Sequence, residues 1–357
     1  MKRWIFLAVA ILAAAGAWLY YARSNLAVEL FRNATQRGMG HDIIAGLPDG
    51  LTAAFCGTGS PLPDRTRAAP CLAILAGERL FVFDAGDGAT ETLTLMGLPP
   101  ARIEAVFLTH FHSDHIDGLG GLAMQRWVAG AATAPLPLHG GPGVERIANG
   151  FNEAYALDAT HRTAHHGPEV APPSGAGFAA RPFAIPEGAD HAIVFDDGGV
   201  RITAIAVDHG PVRPAYGYRI DYRGRSIVIS GDTKPTSALA QQARGADLLV
   251  HEGLAPALVG IIEQSAERNQ SNRIARIMHD IPDYHTAPED AADMAREAGV
   301  GALAFTHIIP PLPLSILEGP YLNGARQRFS GPLWIMRDGD IITLPATGGM
   351  TRRNTLR

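Results

Sequence analysis

No charged residue interrupts the chain from Trp4 to Ala22. At a rise of about 1.5 Å per residue, such a helix nearly crosses a hydrocarbon core of about 30 Å. Lys2 and Arg3 stand before it, Arg23 closes it, and Trp18, Tyr20 and Tyr21 sit where an aromatic belt would meet the far interface. We read an uncleaved membrane anchor over residues 1–23. A removed signal peptide, for which Ala14-Ala15-Gly16 offers a small-x-small site, comes next, and a buried helix last. The leading basic residues put the N-terminus in the cytoplasm, so the pattern predicts a periplasmic or otherwise extracytoplasmic domain held at the inner membrane.

Residues 24–50 read as a juxtamembrane helix and linker. Apolar runs then predict strands at Leu51–Cys56, Cys71–Leu75 and Leu80–Asp84, a short helix at Thr92–Met96, a strand at Ala105–Thr109, a helix at Ile116–Val128 and a strand starting at Leu136–His139. The stretch 140–190 is rich in Gly, Pro, Ala and His and is expected to be a lid or insertion. Strand signals resume at Ile193–Phe195, Arg201–Val207, Tyr216–Tyr222, Ser226–Ser230 and Leu248–His251, and an amphipathic pattern covers 256–281. A helix follows with Thr286 as N-cap, Pro288 in its first turn and Gly299 as its stop, then a strand at Ala302–Thr306. Strands followed by helices in two successive halves predict an α/β sandwich of two sheets with helices outside, one domain over 51–345 and a tail over 346–357.

Composition adds exclusions. With 46% hydrophobic and 18% charged residues the chain can bury a core, and its net charge of −5 carries no general attraction to phosphate backbones. Two cysteines cannot make a disulfide framework or a four-cysteine metal site. Cys56 and Cys71 either pair, as an exported protein allows, or stay reduced in the core.

The chemistry gathers at strand ends. His110-Phe111-His112-Ser113-Asp114-His115 packs three imidazoles and a carboxylate between a strand and a helix. Residues i and i+2 of an extended segment point the same way, so His110 and His112 can grip one ion. Asp114 and His115 are re-aimed where the chain turns, toward a second. Imidazole nitrogens and carboxylate oxygens are ligands that zinc accepts.

This run resembles the signature of the metallo-β-lactamase superfamily, and further segments match in family order: Asp84 in Phe-Asp-Ala-Gly-Asp-Gly, Asp208-His209-Gly-Pro with Tyr216-Gly217-Tyr218-Arg219, Ser230-Gly231-Asp232-Thr233, His285-Thr-Ala-Pro-Glu-Asp-Ala, and Leu303-Ala-Phe-Thr-His307. The last segments look like the ribonuclease Z and arylsulfatase branch. The resemblance implies a four-layer αββα sandwich and two zinc ions, with manganese or iron as alternatives. It assigns His110, His112 and His209 to one ion, Asp114, His115 and His307 to the other, and Asp232 to both. Asp84 supports the site from behind. A paired site can lower the pKa of a shared water from 15.7 toward about 7, which provides the nucleophile, and Asp114 and His285 are the catalytic candidates. His285 would hand a proton to the leaving oxygen; its alternative is a capping or core histidine.

His139 competes for the third-ligand role, but the branch draws that ligand from the segment before Gly-Tyr-Arg, which favours His209. His251 and Glu252 suit a pair that orients a ligand or a buried hydrogen-bonded pair. His161, His165 and His166 lie in the insertion. Trp127, Phe151 and Tyr155 are expected in the core ahead of the substrate pocket, and Arg213 and Arg219 in surface ion pairs ahead of substrate contact.

Enzymes of the branch that process tRNA 3′ ends carry an arm between the Gly-Tyr-Arg and Gly-Asp-Thr segments, and here only Ile220 to Ser230 separates them. Absence of the arm, predicted export and negative net charge count against tRNA maturation, and the surroundings Cys56-Gly-Thr-Gly-Ser-Pro and Ala69-Pro-Cys71 look similar to exported arylsulfatase-like members, which favours an arylsulfatase-like enzyme with a small-molecule ester substrate and no nucleic acid, a phosphodiesterase next. Lactonase or β-lactamase activity, a tRNA 3′-endonuclease and a non-catalytic metal-binding membrane protein are the alternatives. The branch also implies a homodimer.

Overall fold

The computed structural model describes all residues except Met1, Met39, His41 and Arg357. It divides into two units, Met1–Asp42 and Ile43–Arg357. The first is a single helix, α1 (Lys2–Gly38), so the juxtamembrane residues continue the apolar helix. It is long and apolar enough to cross a membrane, and large side chains such as Trp4, Phe6, Leu12 and Trp18 are exposed along it.

The second unit is the four-layer αββα sandwich expected from the sequence. One sheet has eight strands in the order β15-β14-β1-β2-β3-β4-β5-β6. Its strands are β1 (Gly50–Gly57), β2 (Cys71–Ala76), β3 (Arg79–Phe83), β4 (Ile103–Phe107), β5 (Leu136–Gly140), β6 (Phe178–Pro182), β14 (Asp340–Pro345) and β15 (Thr351–Asn354). The other has seven in the order β13-β12-β11-β10-β9-β8-β7. These are β7 (His191–Asp197), β8 (Val200–Ala206), β9 (Tyr216–Tyr222), β10 (Arg225–Ile229), β11 (Leu248–Leu254), β12 (Leu303–Ile309) and β13 (Leu333–Ile335). The inner faces meet through Phe55, Phe81, Phe107, Tyr218, Ile220 and Val250. Because helices cover the outer faces, central strands such as β1, β2 and β11 are buried on both sides, and they read as continuous apolar runs without alternation.

Outside the first sheet lie α2 (Ala89–Leu95), α3 (Ser113–Ile116), α4 (Leu119–Gly130) and α5 (Val144–His166). Outside the second lie α6 (Ser237–Gln242), α7 (Pro256–Arg268), α8 (Asn272–Asp280), α9 (Pro288–Ala298), α10 (Glu318–Leu322) and α11 (Ala325–Arg328).

Four expectations change. Residues 140–190 are no lid or inserted loop: α5 and β6 are regular parts of the first half, and β6 pairs with β5 over Leu136–Gly140. Most of the Gly and Pro content lies in their connections, with Gly150 inside α5 and Pro182 at the end of β6. The tail enters the sheet as β15. The helix expected at 116–128 breaks between α3 and α4 at Gly118, where a Cβ would lie 2.1 Å from the Gly86 carbonyl oxygen. Finally, α9 is capped by Ala287, because the Thr286 hydroxyl donates to the Thr233 carbonyl and its N–H to Glu252.

Candidate metal centre

Both sheets contain a parallel set, β3-β4-β5-β6 and β10-β11-β12-β13. The functional side chains lie at the C-terminal ends of these strands, where neighbouring strands leave an open crevice. Asp84 follows β3, His110 follows β4, Asp232 follows β10, Glu252 lies on β11 and His307 on β12.

The predicted residues converge. His110, His112 and His209 form one group, Asp114, His115 and His307 a second, and Asp232 joins His110 and His115 in a third; within each, the ligand atoms lie within 4.8 Å of one another. Asp232 Oδ2 stands 3.3 Å from His307 Nε2, 3.4 Å from His115 Nε2, and 3.9 Å from both His110 Nε2 and His209 Nε2. That central position is the one a bridging carboxylate needs. Gly231 before it has φ +60, and a Cβ there would meet the Tyr216 carbonyl oxygen at 2.4 Å, so the turn that delivers Asp232 requires glycine.

Ring orientations are set from behind. Asp84 Oδ2 is 2.8 Å from His115 Nδ1 and accepts from the Thr109 hydroxyl at 2.8 Å, and Thr109 Oγ1 is 3.0 Å from His110 Nδ1. His209 Nδ1 is 3.0 Å from the Tyr284 carbonyl oxygen. These contacts turn the Nε2 atoms of His110, His115 and His209 inward, the arrangement that orients imidazoles around a metal. His307 is aimed differently. The pairing of β11 with β12 shifts register after Glu252↔Thr306 to Gly253↔Ile308, which leaves His307 as a bulged residue with φ 47. The bulge turns its ring into the crevice, at a backbone conformation uncommon for a bulky side chain.

The electrostatics call for cations. Asp114 Oδ2, His115 Nε2 and His307 Nε2 are buried without a hydrogen-bond partner. His110 Nε2 and His112 Nδ1 face each other at 2.9 Å, and His209 Nε2 lies 3.4 Å from the latter. Burial drives His110 well below its ordinary value and lowers His112 and His209, so these three rings present lone pairs to a common point. Burial also opposes charge on His115, but the Asp232 and Asp84 carboxylates outweigh it and hold His115 well above the usual range. Asp232 is pushed far down: burial resists, and the imidazoles of His307 and His115 overcome it. Lone pairs and carboxylates crowded this way are stabilised by positive charge at their focus. Two divalent cations fit the donor set.

Behind this cluster, buried Glu252 collects three donors on Oε1: the Thr286 N–H at 2.9 Å, the Thr233 N–H at 3.3 Å and His285 Nδ1 at 3.1 Å. The His285 ring stacks at 5.7 Å on His307 and lies 5.1 Å from His209. Burial disfavours its charge, yet Glu252 keeps its pKa above the ordinary value. Glu252 therefore holds His285, and the two lie within 4.8 Å of the His307 ligand atom as a further candidate metal group, while His251 turns into the core with Nδ1 on the Glu252 carbonyl at 2.8 Å.

The remaining candidates lie elsewhere. His139 stacks on Phe107 at 4.5 Å, and burial lowers its pKa to about 4. Trp127 is buried with Nε1 donating to Pro172, and with Phe151 and Tyr155 it lines an apolar cavity of about 200 Å³ between α4 and α5. Arg219 pairs with Asp221. His161, His165 and His166 belong to α5 and to none of the candidate metal groups. Thr109, which holds both Asp84 and His110, and Tyr284, whose carbonyl holds His209, escaped the sequence reading; adjacency to His110 and His285 was the available signal.

The family model described as "Beta-lactamase superfamily domain" matches residues 79–308. The ribonuclease Z of Mycobacterium avium (strain 104) is 37% identical over 264 residues, 73% of this chain and 87% of that protein. The chain belongs to the metallo-β-lactamase superfamily, in its ribonuclease Z branch. The ribonuclease Z of Mycolicibacterium gilvum (strain PYR-GCK) is likewise 37% identical, over 73% of this chain and 85% of its own. Among solved structures, human tRNase Z, short form, superposes with a TM-score of 0.59 at 21% identity, covering 82% of this chain and 99% of that one. The superfamily makes this a metal-dependent hydrolase with a binuclear centre.

These relatives overturn two expectations. The arylsulfatase-like reading has no support among them, and neither has a small-molecule substrate to the exclusion of nucleic acid, because the relatives are named for RNA. The missing arm is real: β9 and β10 are joined by a tight turn at Arg223 and Gly224. Yet whole-chain charge was the wrong quantity to weigh. A net charge of −5 averages over the entire surface, whereas a binuclear centre can meet an anionic substrate with the charge of its ions.

Proposed function

We propose that this protein is a ribonuclease of the ribonuclease Z kind, hydrolysing phosphodiester bonds in RNA with two zinc ions. The observation that carries the reading is 37% identity to ribonuclease Z over 87% of that enzyme, joined to a complete set of converging ligands and the His285–Glu252 pair. His110, His112 and His209 would hold one ion, Asp114, His115 and His307 the other, with Asp232 between them. The ions would acidify water and screen the charge of the phosphoryl oxygens. Asp232 and Asp114 would offset part of the ions' charge, and Asp84 and Thr109 orient the imidazoles of His115 and His110. His285, whose pKa Glu252 raises against burial, would give its proton to the departing oxygen, which spares the enzyme an alkoxide leaving group.

Place is a separate proposal. Lys2 and Arg3 precede the apolar helix and Arg23, Arg32 and Arg37 follow it, so flanking charge by itself does not orient the chain. The Cys56–Cys71 disulfide, the kind of bond that persists in oxidising compartments, supports an anchored domain outside the cytoplasm.

The test uses a 3′-extended tRNA precursor as RNA, bis-p-nitrophenyl phosphate and p-nitrophenyl sulfate, each with EDTA and with zinc restored. Zinc-dependent cleavage of the RNA is expected. Hydrolysis of the aryl phosphodiester with intact RNA would remove the ribonuclease reading.

A further inference from the structure

Two cavities flank the metal centre, and they differ in chemistry. One, of about 100 Å³, is bounded by His112, Asp114, Asp232, His285 and His307 on one side. Its other wall is aliphatic, with Leu62, Ile277, Met278, Ile281 and Ile309 beside Tyr284, and no Lys or Arg side chain lines it. The second, of about 470 Å³, lies beyond His209 and includes Arg213, which is exposed and makes no ion pair among the described residues.

The aliphatic wall is built by α8. Ile274, Ile277, Met278 and Ile281 recur at helical spacing and form one stripe. Met278 and Ile281 anchor it in a small core with Val259 and Leu254, whereas Ile277 is 53% exposed and Ile274 50%. Lone exposed aliphatic side chains are ordinary, but neighbouring ones beside a polar cleft mark a binding surface. The proton donor decides what binds there. His285 lines this cavity and not the one beside Arg213, so on the ribonuclease reading the departing oxygen lies on this side and the group it carries meets the aliphatic wall. The cavity takes in the space between Asp114, Asp232 and His307, so the group is met on the open side by the aliphatic wall and Ile277.

We propose that the α8 stripe, with Ile277 at its centre, is a subsite for the nucleobase on the leaving-group side of the cut, while the charged strand on the other side of the bond runs past Arg213. The inference rests on the ribonuclease reading. It makes Ile277 a specificity-determining residue that touches substrate, and it makes recognition on the leaving side depend on an uncharged ring and not on phosphate.

The experiment uses the full-length zinc-loaded protein and RNA in which the nucleotide on either side of the cut is abasic. An abasic residue on the leaving side should lower kcat/KM at least tenfold, and on the other side much less. Ile277→Ser should lower kcat/KM on normal RNA by a similar factor and cost nothing more on the abasic RNA, since a missing contact cannot be lost twice. Ile261→Ser, equally exposed on the neighbouring α7 but outside the cavity, should leave both unchanged. Equal effects of Ile277→Ser on normal and abasic RNA overturn the subsite, as does indifference to the abasic residue. If RNA is not cleaved at all, the ribonuclease reading has failed, and bis-p-nitrophenyl phosphate tests the subsite separately. A raised KM in Ile277→Ser keeps an aryl-accepting subsite, and an unchanged KM removes it.

Discussion

Breaking the Cys56–Cys71 bridge should cost stability while leaving catalysis intact. The two residues are 15 apart in sequence, and constraining a loop of that length in the unfolded chain is worth about 3 kcal/mol. With an unfolding entropy of roughly 2.1 cal/mol/K per residue over roughly 310 residues, that loss lowers Tm by about 4–5 °C. The loop matters because its Ser60, Pro61 and Leu62 form one wall of the cleft over His285 and Asp114. Reduction should nevertheless leave the wall standing. Asp338 accepts from the Thr58 hydroxyl and N–H and from the Ala68 N–H, and the Arg67 guanidinium donates to Thr58 and to the Met336 carbonyl. Burial lowers the Arg67 pKa, but Asp338 compensates in part and the group keeps its partners. The assay is calorimetry of the purified protein with and without dithiothreitol, alongside RNA cleavage at 25 °C. An unchanged Tm, or two free thiols in unreduced protein, refutes the stabilisation. A fall in Tm accompanied by loss of cleavage refutes the claim that hydrogen bonds alone hold the wall. The same thiol titration on protein taken directly from cells reports the compartment.

Asp232→Asn should lower metal content below two ions per chain and reduce turnover at least about 100-fold, because the central oxygen facing four imidazoles loses its charge; metal analysis showing two ions with near-native turnover would count against a bridging role. Glu252→Gln should move the pH profile. Glu252 raises His285 above 6.5 against the pull of burial, so the imidazolium is present below that raised value and lost as pH rises through it. In the variant the loss comes at lower pH, and kcat on RNA should fall earlier on the alkaline side; superimposable profiles would end the proton-donor assignment. His139→Phe should keep both ions and the native rate, since the ring it replaces packs against Phe107 and Phe195 and joins none of the candidate metal groups, and a lost ion there would restore His139 as a ligand.

The parts of this protein that were legible from sequence are those whose physics is local. An uncharged stretch from Trp4 to Ala22 forms a helix under any packing, and apolar runs such as Leu248–Val250 can only be buried strands. The His110–His115 run shows its chemistry because its spacing alone brings donors together. Segments lacking such a pattern misled. The stretch from 140 to 190 has frequent Gly and Pro, but most of these sit before α5, between α5 and β6 or after β6, and α5 itself holds only Gly150. Thr286 looks like a cap and is instead held by Glu252 and Thr233, which lie far away in the chain.

What the chain alone determined was therefore the kind of protein: layered sheets, an apolar leader, and a polar nest able to bind metal. Only the tertiary structure decided who works with whom. His307 reaches the crevice because two strands slip register by one residue, Glu252 meets His285 because β11 passes behind it, and one wall of the cleft is aliphatic because Ile277, Met278 and Ile281 face it. Each depends on packing between segments distant in sequence, and such packing is set by the whole core and not by any run of neighbours along the chain.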